Sequence, residues 1–133
     1  MNMEQELERR PVISLLRPRG LDADRKFSKL VSAIKAGMEE ESVPWLEGEE
    51  DGTLSAAELA LRGARQSKLG VGIGIDPACS IAVYFNRGEN SEPLFLLSAD
   101  WASEKVARLV GTNAARLVKK IPFKDLAGLG HKQ

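Results

Sequence analysis

The chain has 133 residues, with 19 Lys and Arg against 19 Asp and Glu, and a formal net charge of zero. This length suits one domain with a real core, the single Cys excludes an internal disulfide and fits a reducing cytoplasm, and balanced charge argues against electrostatic binding of nucleic acid. No apolar run approaches the roughly 20 residues of a membrane helix, and the charged stretch from Glu4 to Arg10 lacks the apolar centre of a signal peptide, so the sequence reads as soluble and cytosolic.

Residues 1–10 are polar and aperiodic and read as a flexible arm. Pro11 to Leu16 is short, apolar and flanked by prolines, which predicts a first strand. After the loop RPRGLDAD, Asp22 or Asp24 can cap a helix reaching about Glu41. Its buried face is Phe27, Leu30, Val31, Ile34 and Met38, at three- and four-residue steps. Pro44 ends it. Val43 to Glu47 predicts a weak strand containing Trp45, and Glu47 to Gly52 an acidic loop. Ser55 and Glu58 have the spacing of a capping box, with Leu54 and Leu59 as a hydrophobic staple. The helix they start runs to about Gln66 and presents small residues to a sheet.

Leu69 to Ile75 is almost wholly apolar, as in a central strand covered on both faces. Asp76, Pro77 and Ala78 predict a turn, and Ser80 to Phe85 a strand that pairs back antiparallel. A polar loop over 86–92 leads to a fifth strand, Pro93 to Ser98. The last helix begins near Ala102 or Ser103, with Val106, Leu109, Val110 and Leu117 on one face. Gly111 costs about 1 kcal/mol inside a helix, so the helix either continues through it or breaks at Gly111-Thr112-Asn113. In the second case Asn113 caps the restarted helix, the plainer reading of a polar group on an apolar face. Lys119 and Lys120 suit the negative C-terminal end, Ile121-Pro122 stops the helix, and residues 127–133 read as a mobile tail. Two crossover helices and one hairpin give a single α/β domain over 11–126, a three-layer α/β/α arrangement with a mixed five-stranded sheet.

Little of this points to catalysis. The glycines of GVGIG alternate within a strand, whereas a dinucleotide fingerprint needs them in the turn before a helix. They are expected to share one face, under a closely packed alanine-rich helix. His131 lies three residues from the end, a poor position for a general base. Cys79 has no His beside it and reads as a small buried hydrophobe. Pairing Asp76 with Asp51 or Asp100 has no support in the spacing. Glu39, Glu40 and Glu41 are more informative, because three carboxylates at a helix C-terminus oppose the macrodipole. Glu40 points away from the apolar face, free to meet a cation or a partner's Lys or Arg. By spacing alone a solvated face is the stronger reading. The face around Arg116, Lys119 and Lys120 is expected to serve either a partner or the acidic Glu47–Asp51 loop.

Three segments together resemble one family. GTNAARLVKKIPFKDL, residues 111–126, is the most specific; MEEESVPW, residues 38–45, and SKLGVGIGID with CSIAVYF support it. They are similar to the small subunit of diol and glycerol dehydratase reactivase, over about residues 11–126. The medium subunit of the dehydratases shares similar motifs in a longer chain and is the alternative; an RNA-binding module is a third that the neutral charge disfavours.

The resemblance implies an anticodon-binding-domain-like sheet of order 2-1-3-4-5 with strand 4 antiparallel. It implies no enzymatic activity and no cofactor of its own. The implied partner is a large ATPase subunit in an (αβ)2 complex, with ATP on the large subunit only. The dehydratase is a transient partner: its medium subunit displaces the small subunit while damaged cobalamin is released. One small-subunit glutamate, at the position of Glu40, is implied as a ligand to a divalent cation, Mg²⁺ or Ca²⁺, held by the large subunit. Glu40, Arg116, Lys119 and Lys120 are thus the expected interface residues, and the expected location is the cytoplasm, including association with a bacterial microcompartment. The sequence departs from the family in its first loop, where Arg17 and Arg19 replace a short Asp/Gly-rich turn, and in its longer, charged first ten residues.

Overall fold

The computed structural model describes residues 10–86 and 92–124. The expected arm (but for Arg10), most of the polar loop over 86–92, and the tail with His131 lie outside the described residues.

Five strands form one sheet: β1 (Ile13–Pro18), β2 (Trp45–Glu50), β3 (Val71–Ile75), β4 (Ile81–Phe85) and β5 (Pro93–Leu97). Among the described residues three α-helices accompany them, α1 (Arg25–Glu40), α2 (Ala56–Gln66) and α3 (Glu104–Lys119), with a 3-10 turn at Ala99–Trp101. The strand order is β2-β1-β3-β4-β5. β1 is parallel to β2 and to β3, while β4 is antiparallel to both its neighbours. The sheet expected from the sequence, with strand 4 reversed, is therefore observed.

Alternation along the strands divides the interior. Ile13 and Leu15 of β1, and Val71, Ile73 and Ile75 of β3, join Phe27, Leu30, Ile34 and Met38 of α1 and Val106, Val110 and Ala114 of α3 in the main core. On the opposite face Ala56 and Ala60 of α2 meet Ala82, with Tyr84 beside them. Gly72 and Gly74 lie under α2, where an added Cβ would land on the backbone of Ala60 and Ala64 or of Ala56 and Ala60. The helix can sit this low only because those positions carry no side chain. Gly70 does not share that face. It precedes β3 with φ +74, beside Phe85.

The helix starts follow their caps. Asp24, not Asp22, accepts from the Phe27 N–H at 3.0 Å. Ser55 and Glu58 form the reciprocal box at 3.1 Å in each direction. Ser103 accepts from the Val106 N–H at 3.1 Å.

α3 does not break at Gly111. It is continuous from Glu104 to Lys119, and a Cβ at Gly111 would collide with the Ile34 carbonyl of α1. Gly37 stands in the same relation to the α3 backbone at Arg108 and Thr112. The two helices cross at backbone contact, which outweighs the poor helix propensity of glycine. Asn113 is accordingly no cap. It is fully buried inside the helix.

The second strand also differs from expectation. β2 runs Trp45–Glu50, so most of the expected acidic loop is strand, paired residue by residue with β1 from Ile13↔Trp45 to Pro18↔Glu50. An edge strand tolerates charge, and β1 supplies a counter-charge. β1 itself extends to Pro18 and carries Arg17, which is buried at 4% exposure. Arg17 donates to Glu49 at 2.8 Å and Asp22 at 2.9 Å, lies 3.7 Å from Glu47, and stacks on the Phe27 ring with its guanidinium 5.1 Å from the centroid.

Candidate partner interface

α1 and α3 run in the same sense, since Ile34 meets Gly111 and the α1 C-terminus reaches Arg116. Their negative C-terminal ends therefore lie together at one corner of the domain. α1 arrives there with Glu39, Glu40 and Glu41 and no basic residue in its last turn. The compensating charge comes from α3.

Glu41 and Glu40 are treated differently. Glu41 accepts from the Lys119 ammonium at 3.1 Å, pairs with Arg116 Nε at 3.4 Å, and its backbone carbonyl takes a second bond from Lys119 at 3.1 Å. Its carboxyl is held below the usual carboxylate range, first by the Lys119 hydrogen bond and then by the charges of Arg116 and Lys119, against the opposing effect of desolvation. Glu40 faces outward and pairs with the Arg108 guanidinium alone, both side chains being about half exposed, at 40% and 57%. A positive group thus already stands at Glu40, whereas exposed Glu39 makes no ion pair among the described residues.

Lys119 and Arg116 meet Glu41 rather than the β2 carboxylates, so the expected pairing with the Glu47–Asp51 stretch does not form. Glu47 is taken by Lys35 and Arg17, and Glu50 by Arg62. Lys120 ends α3 in the left-handed conformation, φ 59, and its N–H returns to the Arg116 and Leu117 carbonyls. The chain then turns back. Asn113 grips Lys124 twice, accepting from its N–H at 2.7 Å and donating to its carbonyl at 3.0 Å. Arg116 donates to the Pro122 carbonyl at 3.0 Å, and Phe123 stacks edge-on against Phe95 of β5 with centroids 5.4 Å apart. The motif residues 113–124 thus form one folded unit, a helix end with a strap returning over it.

The other candidates are structural. Burial pushes the Cys79 thiol up, and its φ of 73 places it in the turn before β4. Asp76 is engaged in the same turn, accepting from Ala78 and Ser80, and Asp51 accepts from Thr53. Among the described residues no three His, Cys, Asp or Glu gather as a metal site, and no helix is long and apolar enough to cross a membrane. Arg17 reads from the sequence as a loop residue, and its burial in β1 is not foreseen there. It lines an open cleft of about 440 Å³ with Asp22, Lys35, Glu47 and Glu49. The advance signal was the pair of arginines, Arg17 and Arg19, in the first loop.

The described residues form a three-layer α/β domain whose most elaborated feature is a charged, strapped helix corner. The model of the dehydratase medium subunit family matches residues 10–124, and the chain belongs to that family. Within it, the chain is 42% identical over 94 residues to the small subunit of the propanediol dehydratase-reactivating factor of Salmonella typhimurium, covering 70% of this chain and 78% of the relative. It is 41% identical over 94 residues to the diol dehydratase-reactivating factor small subunit of Klebsiella michiganensis, covering 70% and 72%. Among solved structures it is similar to a glycerol dehydratase reactivase, with TM-score 0.74 and 28% identity over 87% of this chain and 98% of that one. It is also similar to a diol dehydratase-reactivating factor complexed with ADP and Mg²⁺, with TM-score 0.71 and 33% identity over 87% and 99%. The named relatives favour the reactivase small subunit over the dehydratase's own medium subunit.

Proposed function

We propose that this chain is the non-catalytic small subunit of a reactivating factor for an adenosylcobalamin-dependent diol or glycerol dehydratase. It pairs with a large ATPase subunit in an (αβ)2 complex. It gives way to the dehydratase medium subunit, of the same fold family, while damaged cobalamin is released. The observation that carries this reading is the 42% identity to a named reactivating-factor small subunit across 78% of that relative. Nucleotide belongs on the large subunit, since GVGIG is here the floor of a helix-packing contact. The cytoplasm, with association to a microcompartment, is the location that follows.

Glu40, Arg116, Lys119 and Lys120 are the proposed contact residues. The donor chemistry at Glu40 suits a hard divalent ion such as Mg²⁺ or Ca²⁺, which takes carboxylate oxygen. The carboxylate is exposed at the meeting of two negative helix ends and already faces a cation, Arg108. One carboxylate cannot hold such an ion, so the large subunit and water would supply the remaining donors.

The test is reconstitution. The purified chain is mixed with a reactivase large subunit and, separately, with dehydratase large and small subunits. Stable association with the former, and restoration of inactivated dehydratase only when both reactivase subunits are present, is the expected outcome. Incorporation into active dehydratase without affinity for the reactivase large subunit would replace this reading with the medium-subunit one, with which the family model's description is also consistent.

A further inference from the structure

The Glu40–Arg108 pair differs from every other contact at the corner in having an alternative. Arg108 lines an open groove of about 610 Å³ between α1 and α3, floored by Ser32, Ala33 and Ala36 and flanked by Lys105 and Glu104. Glu104 is four residues before Arg108 on α3. Glu followed by a basic residue at that spacing is the favourable orientation for a pair on one helix face. Arg108 therefore has two carboxylates within the sweep of its side chain, Glu40 across the helix crossing and Glu104 on its own helix. The small residues between them leave the path open. Its present pair is exposed, so solvent screens it and either arrangement is cheap to exchange.

We propose that Arg108 is a two-position arm that shields Glu40 while the subunit is free and swings to Glu104 when Glu40 engages the divalent ion and the large subunit. The inference rests on the Glu40 reading given above. With the arm on Glu40, the charge of that carboxylate is neutralised and it is not offered to stray cations. With the arm on Glu104, Glu40 is released without leaving a guanidinium unpaired. The arm sets the threshold for assembly: docking proceeds only where the incoming positive charge outbids Arg108.

The experiment is a titration of divalent ion against association of the full chain with the large subunit, read by light scattering or calorimetry. Wild type, Arg108→Gln, Arg108→Lys, Glu104→Gln and Glu40→Gln are compared, with melting temperatures confirming that each folds. Arg108→Gln is expected to move the Mg²⁺ midpoint down by about threefold to fivefold, the equivalent of an exposed ion pair. Arg108→Lys should fall between it and wild type. Glu104→Gln removes the resting place of the arm and should raise the midpoint, by about twofold at the value of a surface helix pair. Glu40→Gln should abolish the dependence on divalent ion. If Glu40→Gln abolishes it while Arg108→Gln leaves the midpoint unmoved, the arm is wrong and the Glu40 reading stands. If Glu40→Gln changes nothing, both fall together.

Discussion

The two faces of the sheet are filled in opposite ways, and β3 shows it residue by residue. Ile73 points into a core of large side chains between the sheet, α1 and α3. Gly74, its neighbour, points the other way and leaves space that the α2 backbone occupies. One face is held by side-chain volume and the other by backbone proximity, so they should fail under opposite substitutions. On the first, removing atoms opens a cavity; on the second, adding one atom forces two elements apart.

The largest expected effect follows from truncating the first face. Ile73→Ala should cost about 2–5 kcal/mol, the usual range for a large-to-small change in a packed core, measured by urea unfolding. Gly74→Ala, one residue on, should cost about 3 kcal/mol, because overpacking against backbone cannot be relieved by a rotamer change. A neutral Gly74→Ala would break the comparison, showing that α2 can lift off the sheet without loss.

The α1–α3 crossing sharpens it. Elsewhere in a helix, Gly→Ala gains about 1 kcal/mol of propensity. At Gly111 the sign should reverse, to a loss of about 1–3 kcal/mol, because the new methyl meets the Ile34 carbonyl. Asn113→Ala probes the next turn. It removes both bonds to Lys124 and should cost about 1–2 kcal/mol, the net worth of two ordinary hydrogen bonds. It should also make cleavage after Lys124 faster in limited proteolysis; an unchanged cleavage rate would mean that Phe123 packing alone holds the strap.

The legible parts of the sequence were those with local causes. The Ser55–Glu58 box fixed one helix start within a residue, and the apolar run before Asp76 marked a central strand. What escaped depended on partners distant in sequence. β2 reads as a weak strand that gives way to an acidic loop at Glu47, because the charges of its second half are met by Arg17 and Lys35, which no period reveals. Gly111 reads as a weak point until Ile34 is seen against it. Asn113 reads as a cap until the returning strap is known, a contact made eleven residues later. At the interface, the outward set of Glu40 was legible from the helical wheel, but the α3 residue that meets it was not. Lys119 and Lys120, adjacent and alike in the sequence, differ in the fold, since Lys119 joins α3 to the end of α1.

The smallest effect concerns that joint and is best read through pH. Glu41 has a depressed carboxyl in the fold, chiefly through the Lys119 hydrogen bond. A depressed pKa means that the charged form is the stabilising one. The contribution is complete above the ordinary value of 4.5 and is lost as pH falls through the lower value of the folded state. Wild type should therefore melt above Glu41→Gln at about pH 7, and the gap should narrow as pH falls below the ordinary value of 4.5 and close once the carboxylate is protonated in the fold. Added salt should narrow the gap at neutral pH, because the Lys119 end of the pair lies in solvent. A gap that persists unchanged into acid would show that the side chain of Glu41 stabilises the joint by packing and geometry rather than by its charge, since the Lys119 bond to the Glu41 backbone carbonyl is common to both proteins. The two glutamates would still differ in role, with Glu41 committed to the helix–helix joint and Glu40 left facing outward, but the cause of the first would be geometric rather than ionic.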